Sequence, residues 1–187
     1  WTASTLLSKR RTREQVMYDI TGDIHGHAGR LEFLLQMLKY DHDGHSWRHP
    51  ERHVIFLGDF IDRGPEQVET YEFVRGMIER GSALAVMGNH EFNAVAFKTP
   101  HPDRPDERLR PHSEKNRQQH TPFLDQVGED SDLHDEIIAW FRTLPLYLDL
   151  EALRVVHACW HDRALETLGP FTDDRQGLTE RAWPEAA

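Results

Sequence analysis

The chain has 187 residues, the length of one ordinary domain, and its 38% hydrophobic and 29% charged residues exclude a membrane-embedded or wholly unfolded chain. With 32 acidic against 22 basic residues the formal charge is −10, which argues against general nucleic-acid binding driven by counterion release. No apolar run approaches the ~20 residues of a bilayer span, and the single cysteine, Cys159, excludes an internal disulfide and favours a reducing cytoplasm. The unusual number is 13 histidines, which makes metal or proton-transfer chemistry a question for spacing to answer.

Residue 1 is Trp rather than Met, and residues 1–16 carry no apolar period. They are expected to be an extension, either not native or an ordinary N-terminal one, with the domain over 17–187. Met17–Thr21 reads as a short buried strand stopped at Gly22. Leu31, Leu34, Leu35 and Leu38 then fall at i, i+3, i+4 and i+7, one apolar face of a helix. Residues 41–51, rich in His, Asp, Gly and Pro, read as a loop. A second apolar run, Val54, Ile55, Phe56 and Leu57, stops at Gly58. A helical pattern over 66–80 uses Val68, Tyr71, Phe73, Val74, Met77 and Ile78 and closes at Gly81. Residues 83–87 are a third strand, stopped by Gly88. Residues 98–122 are polar and proline-punctuated, with Lys98, Arg104, Arg108, Arg110, Lys115 and Arg117; they are expected to be a long loop, either solvated or functional. Helical spacing resumes over 132–144 through Leu133, Ile137, Trp140 and Phe141. Leu153–Val156 is a fourth strand running straight into His157. Strand, polar loop and helix in repetition make an α/β pattern.

The chemistry sits where the strands stop. Their ends read Gly22-Asp23-Ile24-His25-Gly26, Gly58-Asp59-Phe60-Ile61-Asp62-Arg63-Gly64, Gly88-Asn89-His90-Glu91 and His157-Ala158-Cys159-Trp160-His161. Ligand sites in α/β folds lie at the carboxyl ends of strands. In an extended segment Asp23 and His25 would point to one side and share a cation. Carboxylate, imidazole and amide oxygen together suit Mn, Fe or Zn better than Ca or Mg. Two ions roughly 3.5–4 Å apart need a bridging carboxylate. Asp59, after the central strand, is the natural candidate, with Asp62 one layer out to orient a histidine. His27, His42, His45, His49 and His53 lack strand-end placement and read as surface residues. Trp160 reads as packing.

Asp-x-His-Gly, Gly-Asp-x-x-Asp-Arg-Gly and Gly-Asn-His-Glu, in this order and each after a strand, resemble the phosphoprotein phosphatase branch of the calcineurin-like metallophosphoesterases, bacterial type. The resemblance spans residues 17 to 161. It implies a β-sandwich of mixed sheets flanked by helices, carrying two divalent metal ions. By motif, one metal takes Asp23, His25 and bridging Asp59, and the other takes Asp59, Asn89 and His157. His90 would be the general acid, steered by Asp62, while Arg63 and Asn89 would face phosphate oxygens.

Two departures stand out. The fourth strand end carries His157-Ala158-Cys159-Trp160 where many members have small residues after the histidine. The family also supplies a later metal-ligating histidine, yet residues 162–187 contain none. A C-terminally truncated fragment with apolar faces left uncovered is therefore expected, unless His161 stands in as an additional ligand. The function implied is direct phosphoester hydrolysis by a metal-bridging hydroxide, resembling serine/threonine phosphatases, with manganese the first expectation for the metal and iron or zinc next. The alternatives are a bis(5'-nucleosyl)-tetraphosphatase-like hydrolase, for which the basic stretch 104–117 would supply arginines, and an inactive metal-binding remnant. The expected partner is a phosphorylated protein or a nucleotide, with no membrane. Cys159 has no pairing base and so does not read as a nucleophile.

Overall fold

The computed structural model describes residues 16–187, so the extension expected over 1–16 lies, Val16 apart, outside the described residues. The chain runs β1 (Met17–Thr21), α1 (Ala28–Met37), a small hairpin of β2 (Asp41–His42) and β3 (Trp47–Arg48), β4 (Arg52–Phe56), α2 (Gln67–Glu79), β5 (Ala83–Ala85) and α3 (Asn89–Lys98). A second hairpin, β6 (Pro100–His101) and β7 (Arg104–Arg108), leads to α4 (Glu114–Val127) and α5 (Asp132–Phe141). A third, β8 (Tyr147–Leu150) and β9 (Leu153–Val156), precedes α6 (Asp162–Leu168) and short helical turns ending in α7 (Trp183–Ala186).

The frame is a parallel sheet in the order β1–β4–β5, and the expected α/β architecture holds. β4 is central, and its Val54, Ile55 and Phe56 are fully buried, as a strand covered on both faces requires. Val54 and Phe56 join the helical core with Phe60, Phe123, Ile137 and Phe141. Ile55 turns to the other face, where Val86 and Val155 meet it under the β8–β9 hairpin. Parallel connections put the carboxyl ends of all three strands at one edge, which is what gathers their loops.

Four expectations change. β1 forms where predicted but is not buried: Met17 is 49% and Ile20 53% exposed, because the hairpin cover reaches Tyr18 and leaves Ile20 bare. Leu34 is 38% exposed on α1, beside Phe33 and Met37, while Leu31 and Leu35 make the buried face. The 41–51 loop contains the β2–β3 hairpin, which buries Trp47 against Phe73 with rings 6.2 Å apart. The loop expected over 98–122 is a hairpin followed by the first half of α4. Ser113 caps α4 by accepting from the Asn116 N–H at 3.3 Å. Its buried stripe is His120, Phe123, Leu124 and Val127. That stripe opens on a histidine and has Pro122 inside it, so the helical period was hidden.

Candidate metal centre

Loops after β1, β4, β5 and β9 converge on Asp59. The Ile24 and His25 N–H groups both donate to the Asp59 carbonyl, at 3.0 and 2.9 Å, and Gly26 N–H donates to Phe60 at 2.7 Å. Gly58 has φ +90°, and a Cβ on it would strike the Gly88 backbone; a Cβ on Gly88 would strike Asp59. The β4 and β5 loops therefore touch main chain to main chain, a closeness open only to glycine. His25, Asp59, Asp62 and Arg63 all have positive φ, between 49° and 70°. Left-handed non-glycine residues cluster where a site over-determines the backbone. The Asp23–His25 segment is thus bent rather than extended, yet His25 Nε2 still lies 3.7 Å from Asp23 Oδ2.

The hydrogen bonds set which imidazole nitrogens carry lone pairs. His25 Nδ1 donates to the Ile61 carbonyl at 2.9 Å, which leaves Nε2 as an acceptor; that atom is buried and has no hydrogen-bond partner. It points at Asp23 and at Asp59 Oδ2, 3.9 Å away. His157 Nδ1 donates to the Leu57 carbonyl at 2.7 Å, so its Nε2 lone pair faces Asn89 Oδ1 at 2.9 Å and Asp59 Oδ1 at 3.6 Å. Lone pairs turned on one another around the buried His25 nitrogen and Asp59 carboxylate are satisfied by a cation between them. The two Asp59 oxygens face different ways, Oδ2 toward His25 and His90, Oδ1 toward His157. Donor atoms draw together in two groups, His25 with Asp59 and His90, and Asp23 with Asp59 and His157. Asp23 thus groups across Asp59 with His157 as well as lying beside His25. The residues fit a two-ion site of mixed nitrogen and oxygen donors.

His161 joins neither group. It caps α6, its Nδ1 accepting from the Ala164 N–H at 3.2 Å, and is exposed. The five histidines read as surface residues also stay out of both groups, and Trp160 packs on Tyr147 with rings 5.6 Å apart.

Beside the centre lies a chain of three side chains. His90 Nδ1 meets Asp62 Oδ2 at 2.6 Å, and His120 Nδ1 meets Asp62 Oδ1 at 2.8 Å. Asp62 is buried, which pushes its pKa up, but the bonds from His120 and His90 prevail and hold it below the usual carboxylate range. His90 is raised by its bond to Asp62, against the opposing effect of burial. Asp62, Arg63, Asn89 and His90 line a cleft of about 420 Å³, as do Arg110 and His120. Two residues here escaped the sequence reading. His120 lay in the stretch taken for loop, and the period 120, 123, 124, 127 was its only signal. Glu91 is fully buried and accepts the N–H groups of Asp59, Phe60 and Gly88 at 2.8, 2.7 and 3.0 Å, clamping the Asp59 loop. Burial pushes its pKa up to about 7, against those three bonds.

Residues 18–178 match the calcineurin-like phosphoesterase family, and the chain belongs to it. The family's centre is a dinuclear divalent one, for which this chain supplies candidate residues. The chain is 30% identical over 138 residues to a symmetrical bis(5'-nucleosyl)-tetraphosphatase of Methylococcus capsulatus, covering 73% of this chain and 41% of that protein. It is 44% identical over 73 residues to the asymmetrical bis(5'-nucleosyl)-tetraphosphatase PrpE of a Geobacillus species, covering 38% of this chain and 30% of that one. The chain thus spans well under half the length of these relatives. A cold-active protein-tyrosine phosphatase from a Shewanella species superposes with a TM-score of 0.52 at 20% identity, over 81% of this chain and 46% of that one, a likeness of fold.

Proposed function

We propose that this chain hydrolyses a phosphate ester or anhydride with two divalent metal ions, and that the substrate is a dinucleoside polyphosphate rather than a phosphoserine or phosphothreonine protein. The observation that carries the hydrolase reading is Asp59, whose two oxygens face two separate donor groups beside the His90–Asp62 pair. The nucleotide reading is supported by the names of the sequence relatives, whereas the phosphatase likeness extends only to fold.

Asp23, His25 and Asp59 would hold one ion, and Asp59, Asn89 and His157 the other. When bound, the pair supplies Lewis acidity and a water of lowered pKa. Manganese, iron and zinc all suit the donors. Arg63 and Asn89 offset charge on the phosphoryl oxygens. His90 directs Nδ1 to Asp62, so Nε2 is the nitrogen that gives a proton to the leaving oxygen. Asp62 holds that ring in place and favours its charged form.

Manganese titrated into metal-free protein should raise p-nitrophenyl phosphate turnover, and diadenosine tetraphosphate should then be cleaved in preference to a phosphopeptide. No turnover at saturating metal would make the chain a metal-binding remnant, and a phosphopeptide preference would restore the protein-phosphatase reading. Asp59→Asn should lower bound metal, by elemental analysis, to one ion or none. Two ions retained in that variant would remove Asp59 as the bridge.

A further inference from the structure

We propose that Arg110 is a specificity-determining residue that binds a second phosphoryl group, on the leaving side of the scissile bond, and so fits the cleft to a polyphosphate chain. This rests on the hydrolase reading above and gives its substrate preference a residue.

Arg110 stands between β7 and α4, in the stretch whose fold the sequence left open. Its backbone is fastened before any ligand arrives. Leu109 N–H donates to the Thr99 carbonyl at 2.9 Å and Arg110 N–H to the Ala96 carbonyl at 3.0 Å, both on the last turn of α3 or just beyond it. His112 follows, with Nε2 2.8 Å from the Phe97 carbonyl and its ring stacked on Phe97 at 3.7 Å. The same helix, α3, carries Asn89 and His90 at its other end, so the Arg110 backbone and the acid are fastened to the two ends of one helix.

The guanidinium is partly buried, and its partners are neutral. Nη2 donates to Asn116 Oδ1 at 3.3 Å and Gln119 Oε1 at 3.0 Å. Among the described residues, Arg48, Arg52, Arg75, Arg104, Arg117, Arg142 and Arg154 each have a carboxylate within 4 Å, whereas Arg110, like Arg63 and Arg108, has none. Amide oxygens orient a guanidinium without neutralising it, and Nε and Nη1 remain without a partner among these residues. Half-burying a cation without a carboxylate in contact costs free energy, and burial lowers its pKa, with the more distant Asp62 carboxylate opposing that in part. An anion in the cleft removes that cost, and a phosphoryl group matches the fork of donors.

Position gives the side. The cleft that Arg110 lines also contains Asp62, Arg63, Asn89 and His90, while Asp23, His25, Asp59 and His157 do not line it. Arg110 thus shares a cleft with the acid and with Arg63, and of the other donors gathered on Asp59 only Asn89 reaches it. In hydrolysis of an anhydride the attacked phosphorus gains the hydroxyl of water, the bridging P–O bond breaks, and the leaving oxygen, still bound to the next phosphorus, takes the proton from His90. Arg110 would hold an unreacting oxygen of that departing phosphoryl group. A simple monoester has no such group to offer.

The test compares tripolyphosphate with orthophosphate by calorimetry on wild type, Arg110→Gln and Arg110→Lys, at one fixed manganese concentration so that chelation by the free anions is common to all. Wild type should prefer tripolyphosphate, and Arg110→Gln should shrink that preference by about 10- to 100-fold, the range of a charge-assisted hydrogen bond in a shielded site. Arg110→Lys should keep part of it, and unchanged thermal melting of either variant shows that folding is not the cause. Equal binding of both anions by wild type, or a preference surviving Arg110→Gln, overturns the proposal. Turnover is read separately: the loss in kcat/KM for diadenosine tetraphosphate should exceed that for p-nitrophenyl phosphate. Wild type failing to cleave diadenosine tetraphosphate would remove the substrate reading while leaving the binding result to stand or fall on its own.

Discussion

At the scale of the residue, Asp62 is the pivot, one carboxylate shared by two imidazoles. A group that must be protonated to act works below its pKa, so activity that depends on His90 falls as pH rises through that value. The bond to Asp62 raises it. Asp62→Asn should therefore move the alkaline limb of the kcat/KM profile to lower pH while cutting kcat, and a limb that stays put would separate Asp62 from the acid. His90→Asn should keep the bound metal and lose roughly 10²- to 10⁴-fold in kcat. The loss should be smaller for p-nitrophenyl phosphate than for phenyl phosphate, whose leaving oxygen needs its proton more. Loss of metal instead would make His90 a ligand, in keeping with its place near His25 and Asp59.

At the scale of the element, α3 and α4 enclose the pivot from two sides. Glu91, in the first turn of α3, accepts three backbone N–H groups, and a glutamine there turns an NH₂ toward at least one of them. Glu91→Gln should cost about 1–3 kcal/mol, read as a lower melting temperature, with metal affinity falling as the Asp59 loop loosens. α4 delivers His120, whose ring packs on Phe123 at 4.9 Å and edge-on to Phe97 at 5.3 Å. His120→Phe keeps that packing and removes only the nitrogen on Asp62. An outer partner of this kind is worth about 10- to 100-fold, and the loss should fall on kcat with KM and metal content little changed. A KM effect of equal size would mean that α4 has merely shifted.

For the whole molecule, the sharpest expectation is the pH dependence of stability. His134 is buried on α5 and accepts the Asp130 N–H at 3.2 Å, and desolvation pulls its pKa down to about 4. Below about 6.5 the unfolded chain binds a proton that the folded one refuses, so this residue's contribution is complete above 6.5 and is lost as pH falls toward 4. The loss amounts to about 3 kcal/mol at the acid end. His134→Asn, which keeps an acceptor for Asp130, should flatten melting temperature between pH 7 and pH 5 relative to wild type. A parallel acid loss in both proteins would assign it to other groups. No helix among the described residues is long and apolar enough to cross a membrane.

The motifs were legible because parallel strands announce themselves as short apolar runs stopped by glycine, and the chemistry falls immediately after each stop. Local order thus determined that Asp23, His25, Asp59, Asn89 and His90 would share one edge of the parallel sheet, whereas His157, at the end of the separate β8–β9 hairpin, is brought to them by the fold. Period-based reading failed where polar residues do structural work. His120 begins the buried stripe of α4, Glu91 is a carboxylate enclosed by N–H groups, and His161 spends its nitrogen on a helix cap. Only the tertiary structure could decide these, since a polar side chain's role is set by which unpaired partner the fold brings within hydrogen-bond reach. Apolar periodicity, by contrast, is written along the chain itself because burial acts on every residue of a face alike.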